Sequence, residues 1–269
     1  MWARPRWRAA AVHLAVALGV VGAAGAHEVN RAGEVVLVDP VFDHPARPRN
    51  EVGLGTRLLA LDGDAALGTA WAVVVSGEVG SEEIASAGAR AAVLEVSDVR
   101  AGGGPARGLA SVEGWVGLAA YRIGFPWRVF LTPALVAGAS RSAADASGAW
   151  TFTGRAELRA GVGVEGLPGL TFFAKQGVEA RLSGGVGVSW VSTYGLGYGF
   201  SRRLSLLVEA GARFDGRREH LALGPAVHFA PVRGFRVDLG ARFLVTSPDG
   251  PEPRLEALLV VRRELFAPW

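Results

Sequence analysis

Five histidines and no cysteines limit the metal chemistry open to this chain of 269 residues. Without thiols there are neither disulfides nor thiolate metal sites. His27 follows the small residues Ala24-Gly25-Ala26 and becomes the first residue if the chain is cut there. An α-amine beside an imidazole can chelate copper, with His44 as the nearest second imidazole. Nothing in the sequence brings the two together, and the plainer account is a histidine that happens to follow a cleavage point. His220 and His228 share one parity and, on a strand, lie roughly 26 Å apart, too far for one ion. Hydrolytic chemistry lacks a G-x-S-x-G turn to raise a serine nucleophile. The glycines of "GVGVSWVSTYGLGYG" (185–199) open no helix, so they form no phosphate loop. Gly187, Gly195, Gly197 and Gly199 share a parity instead, leaving room for a neighbouring long side chain or an inserted loop. No catalytic residue, metal site or cofactor is expected.

Charge patterning is more informative. In "FRVDLGARF" (235–243), Phe235, Val237, Leu239, Ala241 and Phe243 alternate with Arg236, Asp238, Gly240 and Arg242. Successive strand side chains point to opposite faces, so such a segment is a two-faced strand. The polar faces carry opposite charges close together: Arg155–Glu157–Arg159, Lys175–Glu179–Arg181, Glu209–Arg213, Arg236–Asp238–Arg242 and Arg254–Glu256. On a surface these would be solvated pairs worth little. Facing a narrow lumen, they would interdigitate between neighbouring strands and line or block a pore.

The elements that must position these groups recur from about residue 50 onward. Twelve dyad segments are expected, near 51–61, 67–77, 89–98, 109–122, 127–138, 149–164, 169–182, 186–200, 203–214, 218–230, 233–246 and 254–265. Several exceed the ~5–6 residues of an ordinary strand and reach the ~9–11 that a tilted strand needs to cross a bilayer. Short connections such as 124–127, 165–169, 201–203 and 231–234 alternate with mostly longer, more polar ones, as in a barrel with short periplasmic turns. Aromatic residues gather at the same two levels. Phe125, Trp127, Phe200, Phe229, Phe235 and Trp269 sit by the short turns, and Trp150, Phe152, Phe214 and Phe243 by the longer loops. Two interfacial girdles would give this layout.

Residues 1–26 combine Arg4, Arg6 and Arg8 with an apolar run and a small-residue ending, the pattern of a secretory signal peptide. The alternative is an uncleaved anchor. Cleavage removes three of 28 basic residues and none of the 25 acidic ones, so the two signs become equal and no nucleic-acid partner is indicated. Residues 27–49 break the dyad rhythm and are expected to form a periplasmic segment, either tucked into the barrel mouth or trailing as a tail. No later stretch offers the ~20 apolar residues of a spanning helix.

Alternation alone suits both a soluble β-sandwich and a membrane barrel. The many Ala and Gly on the apolar faces favour the barrel, because lipid fills gaps that a packed core could not tolerate. With its dyad strands, Gly-rich turns, aromatic rims and terminal "LLVVRRELFAPW", the region 50–269 resembles a Gram-negative outer-membrane β-barrel protein. Such barrels commonly end in an aromatic residue read by the assembly machinery. Trp269 is similar, although Ala267-Pro268 departs from the strand pattern before it. The C-terminal hairpins also faintly resemble the small barrels of the MetA pathway of phenol degradation. The resemblance implies an all-β, antiparallel up-and-down transmembrane barrel of about twelve strands, ten being the next choice. Its implied partners are membrane lipid, lipopolysaccharide, the assembly machinery and small solutes, and its implied role is a passive, porin-like channel. The competing expectations are a structural or adhesion barrel with a closed lumen, a secreted β-sandwich, and an acyl-hydrolase barrel.

Overall fold

Alternating side chains become alternating faces of a single sheet in the computed structural model. It describes residues 40–44, 49–62, 67–80, 85–99, 107–108, 111–118, 121–123, 127–141, 149–164, 167–182, 185–201, 203–215, 219–232, 234–246 and 253–265. The segment expected to be a signal peptide, His27, Phe125 and Trp269 therefore lie outside the described residues, as do the side chains of Trp127 and Arg254.

Twelve antiparallel strands follow one another: β1 (Glu51–Asp62), β2 (Leu67–Gly80), β3 (Ala85–Val99), β4 in three stretches (Arg107–Gly108, Ser111–Leu118 and Tyr121–Ile123), β5 (Trp127–Arg141) and β6 (Trp150–Val164). They continue with β7 (Leu167–Leu182), β8 (Val186–Gly199), β9 (Leu204–Phe214), β10 (Glu219–Phe229), β11 (Phe235–Thr246) and β12 (Pro253–Glu264). Each pairs with the next, and β1 also pairs with β12 from Glu51↔Glu264 to Leu61↔Pro253, which closes the sheet. Beyond that seam, Leu265 N donates to Asn50 O at 2.7 Å. Both ends of the meander thus lie at one end of the barrel, here the terminal end; the other is the distal end. Closure gives each described strand a neighbour on both sides, with β4 paired on both sides along Ser111–Leu118, on β3 alone at Arg107–Gly108 and on β5 alone at Tyr121–Ile123. It also overturns the sandwich expectation, because all described strands belong to one sheet and no second sheet packs on it.

Exposure follows the dyad. On β8, Val186, Val188, Trp190, Tyr194 and Leu196 are exposed, whereas Ser189, Val191, Gly195, Gly197 and Gly199 are buried inside. Exposed Leu54, Val75, Val116, Leu135, Phe172, Leu239 and Val261 continue the apolar outer wall on other strands. On that wall Phe229 and Phe235 mark the terminal rim, and Phe200 sits just past β8 at the same level. Trp150, Phe152, Phe214 and Phe243 mark the distal side, joined by Trp71 and Trp190.

The glycine parity on β8 has a concrete use. Gly195 pairs with Phe173, whose ring lies over it inside the barrel, so that a Cβ would overlap the ring. Gly195→Ala should destabilise the barrel by about 1–3 kcal/mol through overpacking. Phe173→Ala in the same chain should recover part of that loss. Urea titration followed by unheated gel migration measures both; unchanged Gly195→Ala stability would show that the ring moves aside freely.

Candidate functional site

Ion pairs knit the inward-facing residues into two clusters. Near mid-height, Glu157 lies between Arg155 (Nε 2.5 Å) and Arg159 (Nε 2.6 Å) on the same strand. On the neighbouring strand, Glu179 binds Arg181 at 2.9 Å and reaches Arg213 of β9 at 2.8 Å. Glu113 of β4 joins Arg90 of β3 at 3.2 Å and Arg155 at 3.5 Å. Beside these clusters, Arg242 Nε meets Glu256 at 2.5 Å. The second cluster lies nearer the terminal end, around Asp238, which has no solvent exposure. Asp238 accepts from His228 Nδ1 at 2.6 Å and from Arg262 Nε at 2.5 Å, and it forms an ion pair with Arg236 Nε at 2.8 Å. Glu51 adds contacts to Arg236 at 3.4 Å and Arg262 at 3.1 Å.

Between these clusters the lumen is crossed by the chain's own segment Pro40–His44. Val41 is fully buried, and Val41 and Phe42 belong to one apolar cluster with Val74, Phe173, Leu207, Ala226, Leu258 and Val260 of the inner wall. Phe42 fits where Gly240 has no side chain; a Cβ there would sit 2.6 Å from the ring. The Arg242 guanidinium covers the same ring at 4.8 Å. Polar latches complete the seat. Val41 N and Phe42 N both donate to the Glu209 carboxylate, at 2.6 and 3.3 Å. Asp43 pairs with Lys175 and accepts from Thr193 Oγ1 at 2.7 Å. His44 stacks on Trp115 at 4.1 Å between ring centroids. Burial lowers the His44 pKa to about 4, so at pH 7 the neutral ring donates Nε2–H to Glu113 at 2.9 Å.

On the distal side of the segment lies an open cavity of about 330 Å³, lined by Phe42 and Asp43 as its floor and by Arg90, Arg155, Arg181, Arg213, Arg242 and His220 among its walls. The terminal side holds a far smaller space around Glu51, Glu78, Arg236 and Arg262.

The structure thus places Arg155, Glu157, Arg159, Lys175, Glu179, Arg181, Glu209, Arg213, Arg236, Asp238, Arg242 and Glu256 on the inward face. Glu51, Arg90, Glu113 and Arg262 stand there too and were not singled out from the sequence. Each obeys the same dyad, but Ala- and Gly-rich β3 and the apolar Trp115 next to Glu113 mute the contrast between faces. His220 and His228 both face inward without sharing a ligand site; His228 serves Asp238 instead. His44 has Glu113 and Trp115 as its partners, and His27, the other histidine weighed for copper, lies outside the described residues. On the outer wall the half-buried Gln176 accepts from Trp190 Nε1 at 2.8 Å and donates to Tyr194.

No family model matches the sequence, and no curated protein matches it either. Solved structures do share its architecture. A COG4313 outer membrane channel from Pseudomonas putida F1 superposes with a TM-score of 0.55 at 13% identity, covering 85% of this chain and 100% of that one. The KdgM porin gives 0.53 at 8% identity, over 79% and 99% of the two chains. The NanC porin gives 0.51 at 11%, over 80% and 100%. These neighbours are channels and porins by name, not enzymes. At such identities the likeness speaks for architecture alone: the chain folds as a closed twelve-stranded antiparallel β-barrel, the architecture these outer-membrane channels and porins share.

Proposed function

We propose that the chain is a passive outer-membrane channel for small solutes that rests with its own Pro40–His44 segment across the lumen. One observation carries the reading: a closed barrel with an apolar outer wall and a charged interior encloses a cavity of about 330 Å³ whose floor is part of the same chain. Membrane strands alternate apolar-out and polar-in, and closure satisfies backbone groups that hydrocarbon cannot. The terminal end faces the periplasm on this reading, since an even-stranded meander brings both chain ends to one side. Residues 1–26 act as the cleaved export signal, lipid and lipopolysaccharide surround the wall, and the assembly machinery inserts it. Transport is passive, because the sequence carries no nucleotide-binding or energy-coupling motif.

The dense ion pairing favours one rival, a structural barrel with a permanently closed lumen. Reconstitution of the full chain in planar bilayers separates the two. Discrete current steps are expected for the channel, with long closed intervals; a silent membrane, holding protein whose migration still changes on boiling, would favour the rival. A chain that remains in the aqueous fraction without detergent would end both readings.

A further inference from the structure

We propose that the distal cavity is a binding site for small solutes carrying two or more carboxylate or phosphate groups. The inference deepens the channel reading by naming the solute class, and it rests on that reading only for how the solute arrives. Six cationic side chains and three carboxylates line the cavity, and the two signs are not equally presented. The side chains of Arg90, Arg181, Arg213 and Arg242 keep 32%, 41%, 34% and 35% of their surface exposed. Their carboxylate partners lie deeper: Glu179 at 4%, Glu256 at 14% and Glu113 at 22%, with Glu157 behind them at 0%. The carboxylates therefore hold the guanidiniums in place from behind, while a solute in the cavity meets the guanidiniums first.

Each of the four arginines meets its carboxylate through a single nitrogen in its described pairs: Nη2 for Arg90 and Arg213, Nε for Arg181 and Arg242. A guanidinium fork has further donors and matches the planar geometry of carboxylate and phosphate. The four come from four strands, β3, β7, β9 and β11, so they surround the space rather than line one wall. A lone anion in this open, hydrated setting gains little Coulomb energy. One molecule spanning two guanidiniums gains both contacts for a single loss of freedom. The volume of about 330 Å³ is at the low end of ordinary small-ligand sites.

Calorimetry on the full chain in detergent tests this, with inorganic tripolyphosphate and citrate as separate probes and spermidine as the cationic control. Saturable heat is expected with at least one of the two anions and not with spermidine; the stronger of them identifies the phosphate or the carboxylate class. Arg181→Gln with Arg213→Gln should weaken that binding about tenfold or more, since hydrogen bonds to charged groups are the strong ones. Arg90→Gln with Arg242→Gln should do the same from two further strands. Arg263→Gln on the outer wall, where its guanidinium lies over Phe235, should leave binding unchanged. Variants are scored only when their unheated gel migration matches the parent. Folded parent protein that binds neither anion, or binds spermidine equally, overturns the proposal. Anion binding in a protein that never conducts would end the channel reading alone; current without anion binding would end this proposal alone.

Discussion

A mature chain lacking residues 27–44 should conduct several-fold more current per channel than the full-length protein. The Pro40–His44 segment lies across the lumen and floors the distal cavity. It is held by burial of Val41 and Phe42, by two backbone donors on Glu209, by the Asp43–Lys175 pair and by the His44–Glu113 bond. Fully burying side chains of this size contributes about 1.5–3 kcal/mol each. Ordering the segment opposes these gains, so the closed state should dominate without being permanent. Glu209→Gln weakens the acceptor for both backbone donors and keeps its size, so it should raise the open fraction roughly tenfold, the equivalent of about 1.4 kcal/mol. Phe42→Ala should open the channel further, because the notch over Gly240 would lose its occupant. Single-channel recordings give unit conductance and open fraction separately. If truncated and full-length proteins match in both, the segment does not occlude the pore.

Asp238→Ala should be the most destabilising single change in the wall, by about 3–5 kcal/mol, because it leaves buried cations without their shared anion. Its carboxylate receives Arg236 from its own strand, His228 from β10 and Arg262 from β12. Through Glu51, which contacts both arginines, the cluster extends to β1 and so crosses the β12–β1 seam where the barrel closes. Losing Asp238 should therefore open the seam rather than fray one hairpin. Glu51→Gln is the contrasting change: the same two arginines keep Asp238, so the loss should be clearly smaller. Urea titrations of the reconstituted variants, read by unheated gel migration, compare the two. Equal midpoints for Asp238→Ala and the parent would show that the cluster lines the lumen without holding the seam.

Strand periodicity is a local property, and it was legible residue by residue. The segment expected near 149–164 is β6 at 150–164, and the one expected near 186–200 is β8 at 186–199. Parity also placed Arg155, Glu179 and Asp238 on the face opposite Phe152, Val178 and Val237. A strand's two faces are assigned by its own backbone, so no tertiary information is needed. Where the two faces carry similar chemistry the signal fades. Val73, Val74 and Val75 are apolar on both parities, as are Leu206, Leu207 and Val208, and Leu258 through Val261. Those runs mark where the wall needs grease inside as well as outside. The inner partner is Val41 and Phe42, more than 160 residues from Glu209, which anchors them.

The amino-acid order by itself thus determined two-faced strands, their approximate number and which side chains share a face, because each follows from the geometry of consecutive residues. Only the tertiary structure decided that the sheet closes, that Asp238 ties the seam through residues on neighbouring strands, and that Pro40–His44 lies across the lumen. Those outcomes depend on which distant residues meet when twelve strands share one enclosed volume, and no local pattern encodes that meeting.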